Sequence, residues 1–421
     1  MILATLPIDG RRLWADLMTL AEITDPERPY TRRSFSPRFV EGREWLSRQF
    51  EAAGLNVRID SAGNLIGRRS ADKPNAGTIM VGSHSDTVPS GGRFDGAAGL
   101  IVALEIARSI KEAGIRLWHS LEIVDFLAEE PSEFGLSCIG SRGMAGELEA
   151  KSLAYEDPSG ERLDRAIDRI GGQTSALADA IRSDIVAFFE LHIEQGIVLE
   201  TRGLDLGLVT AIAGITRIEI VFSGSADHAG TTPMDLRRDA LVAAAETATF
   251  VAEQARGLAK RGHGHFVATC GILEVKPNAA NVVPREARLV VDARSDRREL
   301  IEDFCRNLEA EIRQIAKRSR VECSRHAVLS DTMPARCDEA LLTLLRASAS
   351  ALGFSTMEMA SGAGHDTAFI SRIAPAAMLF IPCRNGKSHT PEEWAEPEAL
   401  SSGAAVIGEA VLRFDRDYRM D

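Results

Sequence analysis

Four short apolar runs in this 421-residue chain lead into side chains that can bind a metal ion. Residues 78–83 run into His84, with Asp86 two positions on and Asp95 soon after. Residues 117–128 run into the pair Glu129-Glu130, residues 185–191 into His192, and residues 376–382 lead shortly to His389. Ligands of open α/β sheets sit in the crevice beyond the carboxyl ends of the strands. If the four runs are neighbouring parallel strands, three imidazoles, two glutamates and Asp95 converge there. That set suffices for two divalent ions and a general base.

Each residue also has an ordinary reading. His84 could be a hydrogen-bonded structural histidine, although metal-bound histidines usually hand their other ring proton to a carboxylate, and Asp86 is placed to take it. Asp95 lies in a glycine-rich stretch before a helical segment and could be a helix N-cap. Glu129-Glu130 could be a solvated pair. Two adjacent glutamates directly after so apolar a run repel each other, however, unless a cation lies beside them. One could ligate while the other takes the proton of an activated water. His192 and Gln195 are polar groups at a third strand end, and His389 could close the set from a polar loop. Together, five such residues at strand ends point to a metal site.

The elements that must position them are legible in outline. Helical spacing covers residues 41–53 and 97–113, while 55–60, 64–67 and 78–83 read as strands. From Ala211 the pattern changes: residues 216–222 alternate apolar and polar, as a half-exposed strand should. Helices over 239–256 and 298–317 then interleave with strand-like 266–269, 288–293 and 321–328. The chain exceeds the ~250–300 residues at which single cores stop growing. The expected fold class is therefore α/β with two domains. Residues 1–211 plus 329–421 form a catalytic domain on a mostly parallel mixed sheet. Residues 212–328 form an inserted α+β domain, two helices on a four-stranded antiparallel sheet.

Composition narrows the partners. A net charge of −12 argues against nucleic acid. No stretch approaches the ~20 consecutive apolar residues needed to span a bilayer, so no membrane partner is expected. Residues 1–7 are apolar but too short for a signal-peptide core and lack its basic flank. Six cysteines without a CxxC pair read as reduced thiols, and the cytoplasm is the expected compartment.

With these residues assembled, the chain resembles the aminoacylase/carboxypeptidase-type dinuclear metallohydrolases. Within that clan it is most similar to the hydrolases of N-carbamoyl-L-amino acids, β-ureidopropionate and allantoate. The matching segments are GSHSDTV (82–88) with GGRFDG (91–96), Glu129-Glu130, ELHIEQG (190–196), DHAGTTPM (227–234), residues 278–284, SGAGHD (361–366) and SHT (388–390). They span most of the chain in the family's order. The resemblance implies a catalytic unit with an inserted lid that also makes a homodimer. It implies two divalent metal ions per subunit (zinc, manganese, cobalt or nickel), held by His84, Glu130, His192 and His389 with Asp95 bridging. Glu129 would be the general base. His228 would reach the partner's active site and stabilise an oxyanion. Asn281 and Arg294 would hold the amide and carboxylate of a small-molecule substrate carrying a carboxylate. Gln195 and His365 would clamp its ureido or acyl end.

One stretch departs from the pattern. The family's glutamate pair is commonly followed by a glycine and then an arginine-phenylalanine; here it reads Glu129-Glu-Pro131-Ser-Glu133-Phe134. Glu133 would either favour a substrate with a cationic or hydrogen-bond-donating group or pair with Arg142. The expected function is a two-metal amidohydrolase that cleaves an N-carbamoyl amino acid to amino acid, ammonia and carbon dioxide. The alternatives are an N-acyl amino acid amidase or dipeptidase of the same clan and, from another class, a non-catalytic binding protein with a broken ligand set.

Overall fold

The computed structural model describes residues 6–73 and 76–418; most of the apolar N-terminal stretch considered above, residues 1–5, lies outside the described residues. In chain order the strands are β1 (Asn56–Ile59), β2 (Leu65–Arg69), β3 (Thr78–His84), β4 (Ser120–Phe126), β5 (Ile185–Ile193), β6 (Leu206–Ile212) and β7 (Gly214–Ser223). They continue with β8 (Phe266–Lys276), β9 (Glu286–Ser295), β10 (Glu322–Asp331), β11 (Ala335–Arg336), β12 (Thr356–Ser361) and β13 (Ala376–Ile381). Among the described residues they form a nine-stranded mixed sheet, β1-β2-β4-β3-β5-β13-β6-β11 with β12 beside β6, and a separate four-stranded sheet, β10-β7-β9-β8.

The four runs singled out above, β4, β3, β5 and β13, are adjacent, and each neighbouring pair is parallel. Their unbroken apolar character has a physical reason. Strands covered on both faces need no polar alternation, and β3, β4 and β13 are buried at every residue. On one face Met80, Val124 and Phe188 pack with Met144 and Ile370. On the other, the helix Ala97–Glu112 approaches so closely that a Cβ on Gly99 would stand 2.1 Å from the Leu191 carbonyl oxygen.

Several boundaries differ from the sequence expectation, most plainly that of the strand read over 266–269, which runs to Lys276, and two have a local cause. The run 117–128 forms a strand only over Ser120–Phe126, because Leu127 and Ala128 turn out of the sheet into a small cluster with Phe134 and Ile139. The first predicted helix starts earlier, at Pro37, where Ser36 caps it by accepting the Phe39 N–H and proline takes the first turn.

The described residues divide into two compact units, one within 6–210, 337–359 and 365–418, the other of 211–336 and 360–364. In the second, all four strands pair antiparallel. The helices Ala240–Lys260 and Arg298–Ser319 supply its core with β7 and β9, around Ile220, Phe222, Leu289, Val291, Phe304 and Leu308. Asp239 caps the first of these helices by accepting the N–H groups of Leu241 and Val242.

Candidate metal centre

Register brings the candidate ligands together. β3 ends on His84, and β5 carries His192 one residue before its end. Both rings are buried, and both give their Nδ1 proton to a backbone carbonyl: His84 to that of Asp86 at 3.0 Å, His192 to that of Ile193 at 2.9 Å. This fixes each tautomer and turns Nε2 inward. The partner of His84 is thus the Asp86 carbonyl and not, as the sequence suggested, its carboxylate, whose Oδ1 stands 3.6 Å away. That carboxylate accepts the backbone N–H groups of Glu129 (3.2 Å) and Glu130 (3.3 Å) and the Ser34 hydroxyl (2.8 Å). Asp86 therefore holds the glutamate pair in place.

Asp95 is not an N-cap. Gly96 occupies that position at φ +62, with no side-chain cap bond, and the Asp95 carboxylate points across the strand ends. Its Oδ1 lies 3.0 Å from His192 Nε2 and 3.8 Å from His84 Nε2. Its Oδ2 lies 3.0 Å from His389 Nε2, which is also 3.2 Å from Glu130 Oε1. Two donor groups result, His84–Asp95–His192 and Asp95–Glu130–His389, each with its ligand atoms within 4.8 Å of one another. They share only Asp95.

The residues fit divalent ions. His84 Nε2 is buried without a hydrogen-bond partner among the described residues, as a ligand atom awaiting a cation would be. Asp86, Asp95, Glu129 and Glu130 are all buried side by side, and buried charge of one sign needs compensation. The imidazoles register that field. Burial opposes protonation of His192, but Asp95 outweighs it and lifts the pKa to about 9. Asp95 and then Glu130 lift that of His389 to about 10. A nitrogen-and-oxygen donor set of this kind suits zinc, manganese, cobalt or nickel.

Glu129 reaches the same space. Its Oε2 stands 3.6 Å from His84 Nε2, and its Oε1 accepts the Cys138 thiol at 3.6 Å. Burial first, then Glu130, Asp366, Asp95 and Asp86, push its carboxyl well above the usual range. The backbone around the cluster is strained. Ala128, Gln195 and His389 all have φ between +52 and +57, which costs a non-glycine residue about 1–2 kcal/mol. Such outliers concentrate at functional sites.

The remaining candidates fall into two sets. His365 packs edge-on against His192 with ring centroids 4.5 Å apart, and burial followed by the neighbouring His192 keeps it neutral. Gln195 donates its Nε2 amide to Asp95 Oδ2 at 2.8 Å, while its Oε1 is buried with no hydrogen-bond partner among the described residues. His228, Asn281 and Arg294 belong to the second unit. His228 and Asn281 are exposed and share a loop contact, the Ala229 N–H on the Asn281 carbonyl at 2.9 Å. Arg294 donates to Asp292 (2.7 Å) and to the Gly362 carbonyl (2.9 Å). Glu133 pairs with Arg33 at 2.8 Å and not with Arg142, which lies over the Phe369 ring and bonds the Ser137 carbonyl.

Sequence reasoning missed three groups here. Cys138 touches the proposed base. Asp366 takes the Ser141 hydroxyl at 2.5 Å below it. Glu393 braces Asp95, and burial followed by the Asp95 charge raises its pKa to about 7. Two of these had a visible signal: Asp366 closes the matching SGAGHD segment, and Glu393 is a carboxylate four residues after His389 in the same polar loop.

Comparison with known proteins agrees with this geometry. Residues 80–413 match peptidase family M20/M25/M40. The chain is 36% identical over 403 residues to the N-carbamoyl-L-amino acid amidohydrolase of Geobacillus stearothermophilus, covering 95% of this chain and 97% of that one. It is 34% identical to the ureidoglycolate hydrolase of Arabidopsis thaliana, covering 98% and 88%. A hydantoinase/carbamoylase-family amidase from Burkholderia multivorans has the same fold, with a TM-score of 0.89 at 33% identity over 97% and 98% of the two chains. A sheet whose strand ends gather histidines and carboxylates, matched over most of its length by such enzymes, places the chain in peptidase family M20/M25/M40 as a metal-dependent amidohydrolase of C–N bonds.

Proposed function

We propose that the substrate is an N-carbamoyl amino acid, cleaved to the amino acid, ammonia and carbon dioxide with two divalent ions per subunit. The observation that carries the two-ion reading is Asp95, whose two oxygens face separate donor groups. The carbamoyl reading is supported by the named relatives that cover nearly the whole chain.

Bound divalent ions would supply Lewis-acid polarisation of the scissile carbonyl and would acidify water toward a pKa of ~7. The chain supplies the rest. Glu129 is the general base: Cys138 occupies its Oε1, leaving Oε2 on the His84 side to take a proton from water and pass it to the leaving nitrogen. Asp86 fixes that carboxylate through the backbone of both glutamates. His365, kept neutral beside His192, is a donor for the ureido end, and Gln195 holds Asp95. The second unit acts through a homodimer, with His228 stabilising the oxyanion in the partner and Asn281 and Arg294 binding the substrate's amide and carboxylate. Edge strand β8 exposes Val267, Ile272 and Leu273, which supports pairing with a second copy. Six cysteines without a disulfide fit a reducing cytoplasm.

The test is release of the free amino acid, with ammonia measured alongside, screened over N-carbamoyl, other ureido and N-acyl amino acids of both chiralities, on chelated protein reloaded with zinc, manganese, cobalt or nickel. Fastest release from N-carbamoyl amino acids is expected. Faster cleavage of N-acyl amino acids or dipeptides would replace this reading with the amidase one. A metal content of one ion per chain or less after reloading would overturn the two-ion centre.

A further inference from the structure

The loop carrying Asp95 and the loop carrying His389 are tied together by a carboxylate that belongs to neither donor group. Glu393 is fully buried. Its Oε1 accepts the backbone N–H groups of Phe94 (2.7 Å) and Asp95 (3.1 Å), and its Oε2 accepts the Ser388 hydroxyl at 2.8 Å. Ser388 Oγ also lies 3.0 Å from Asp95 Oδ2, and Gln195 Nε2 donates to it at 3.3 Å. Room for this arrangement is made at Gly92, which sits at φ +111. A Cβ there would stand 2.4 Å from Glu393 Oε1. The next residue, Trp394, packs edge-on against Phe94 with ring centroids 5.7 Å apart, so aromatic contact closes the same junction.

The ties are one-sided. Asp95 Oδ1 faces His192 and His84, whereas every side-chain bond of the clamp falls on Oδ2, the oxygen that faces His389. His389 is also the least enclosed ligand, with its side chain 48% exposed and its backbone at φ +56. It follows Ser388 directly, so a bond at Ser388 fixes the ring's point of departure. We infer that Glu393 is a positioning residue for one ion alone: it sets the affinity of the site formed by Asp95, Glu130 and His389 and leaves that of His84, Asp95 and His192 unchanged. The inference rests on the two-ion reading above. Removing the carboxylate strands two buried backbone N–H groups and frees Ser388, and losing such an outer partner typically costs 10–100-fold in metal affinity.

The experiment counts manganese ions per chain and their dissociation constants by calorimetric titration of chelated protein, with elemental analysis as a check. The variants are Glu393→Ala, Glu393→Gln, Ser388→Ala and Asp95→Asn. The native chain is expected to bind two ions. Glu393→Ala should bind one as before and the second about 10–100-fold more weakly. Glu393→Gln keeps an oxygen for both N–H groups and an amide for Ser388, so it should restore the second ion. Ser388→Ala should weaken the second ion less than Glu393→Ala does. Unchanged binding of both ions by folded Glu393→Ala, or equal loss of both, overturns the assignment. So does a Glu393→Gln protein as weak as Glu393→Ala, which would make charge and not position the cause. Should Glu393→Ala fail to fold by circular dichroism, Ser388→Ala decides, and an unweakened second ion there overturns the assignment. Asp95→Asn separates the two ideas: if it binds both ions like the native chain, the two-ion reading itself fails.

Discussion

At the scale of single residues, the cluster assigns different work to side chains of one chemical type. Glu129 and Glu130 are neighbours, yet Glu130 faces His389 while Glu129 lies between Cys138 and His84. Glu129→Gln should therefore retain the bound metal and the fold but lose turnover by ~10²–10⁴-fold, the range of a positioned general base. Steady-state ammonia release with metal analysis on the same sample checks this, and retained turnover would place the base elsewhere. The residue types were legible in the sequence, because imidazoles and carboxylates gathered at several strand ends are hard to explain one by one. Which atom of Asp86 meets His84 was not, since carbonyl and carboxylate of one residue lie within an ångström of equal reach.

At the scale of elements, the parallel strands are secured near both ends. Their carboxyl ends carry the candidate ligands. Near their amino ends, Arg182 joins Asp184 to Glu122, Arg68 joins Glu122 from the other side, and Thr78 donates to Asp184 at 2.7 Å. This stitches the beginnings of β3, β4 and β5. Burial disfavours the Asp184 charge, but bonds from Arg182 and Thr78 outweigh it and hold the pKa at about 2, below the ordinary 3.8. A depressed carboxylate stabilises the fold above its unfolded pKa and loses that contribution as pH falls through the folded one. Urea midpoints should therefore decline between about pH 4 and pH 2, and Asp184→Asn should start lower and flatten that window. An unaltered acid limb in the variant would show that the stitch does not act. The strands themselves could be read from their apolar runs. Where the 117–128 run leaves the sheet could not, because the Leu127–Ala128 turn is set by contacts with Phe134 and Ile139.

At the scale of the whole molecule, the proposed homodimer makes the sharpest demand. If His228 serves the partner's centre, His228→Ala and Glu129→Gln are each inactive alone but complement each other. Random mixing makes half the dimers hybrids with one intact site of two, so about a quarter of native activity should return. No recovery after verified subunit exchange would sink the shared site. By itself the sequence determined the α/β class and the inserted antiparallel unit and supplied the candidate ligand types, because periodicity and side-chain chemistry are local properties. Only the tertiary structure decided that His84 and His192 turn Nε2 inward, that Asp95 spans two donor groups, and that Glu393 braces one of them. Those depend on strand register and loop closure, which join residues hundreds of positions apart, and a carboxylate four residues after His389 marks a polar loop without showing what it braces.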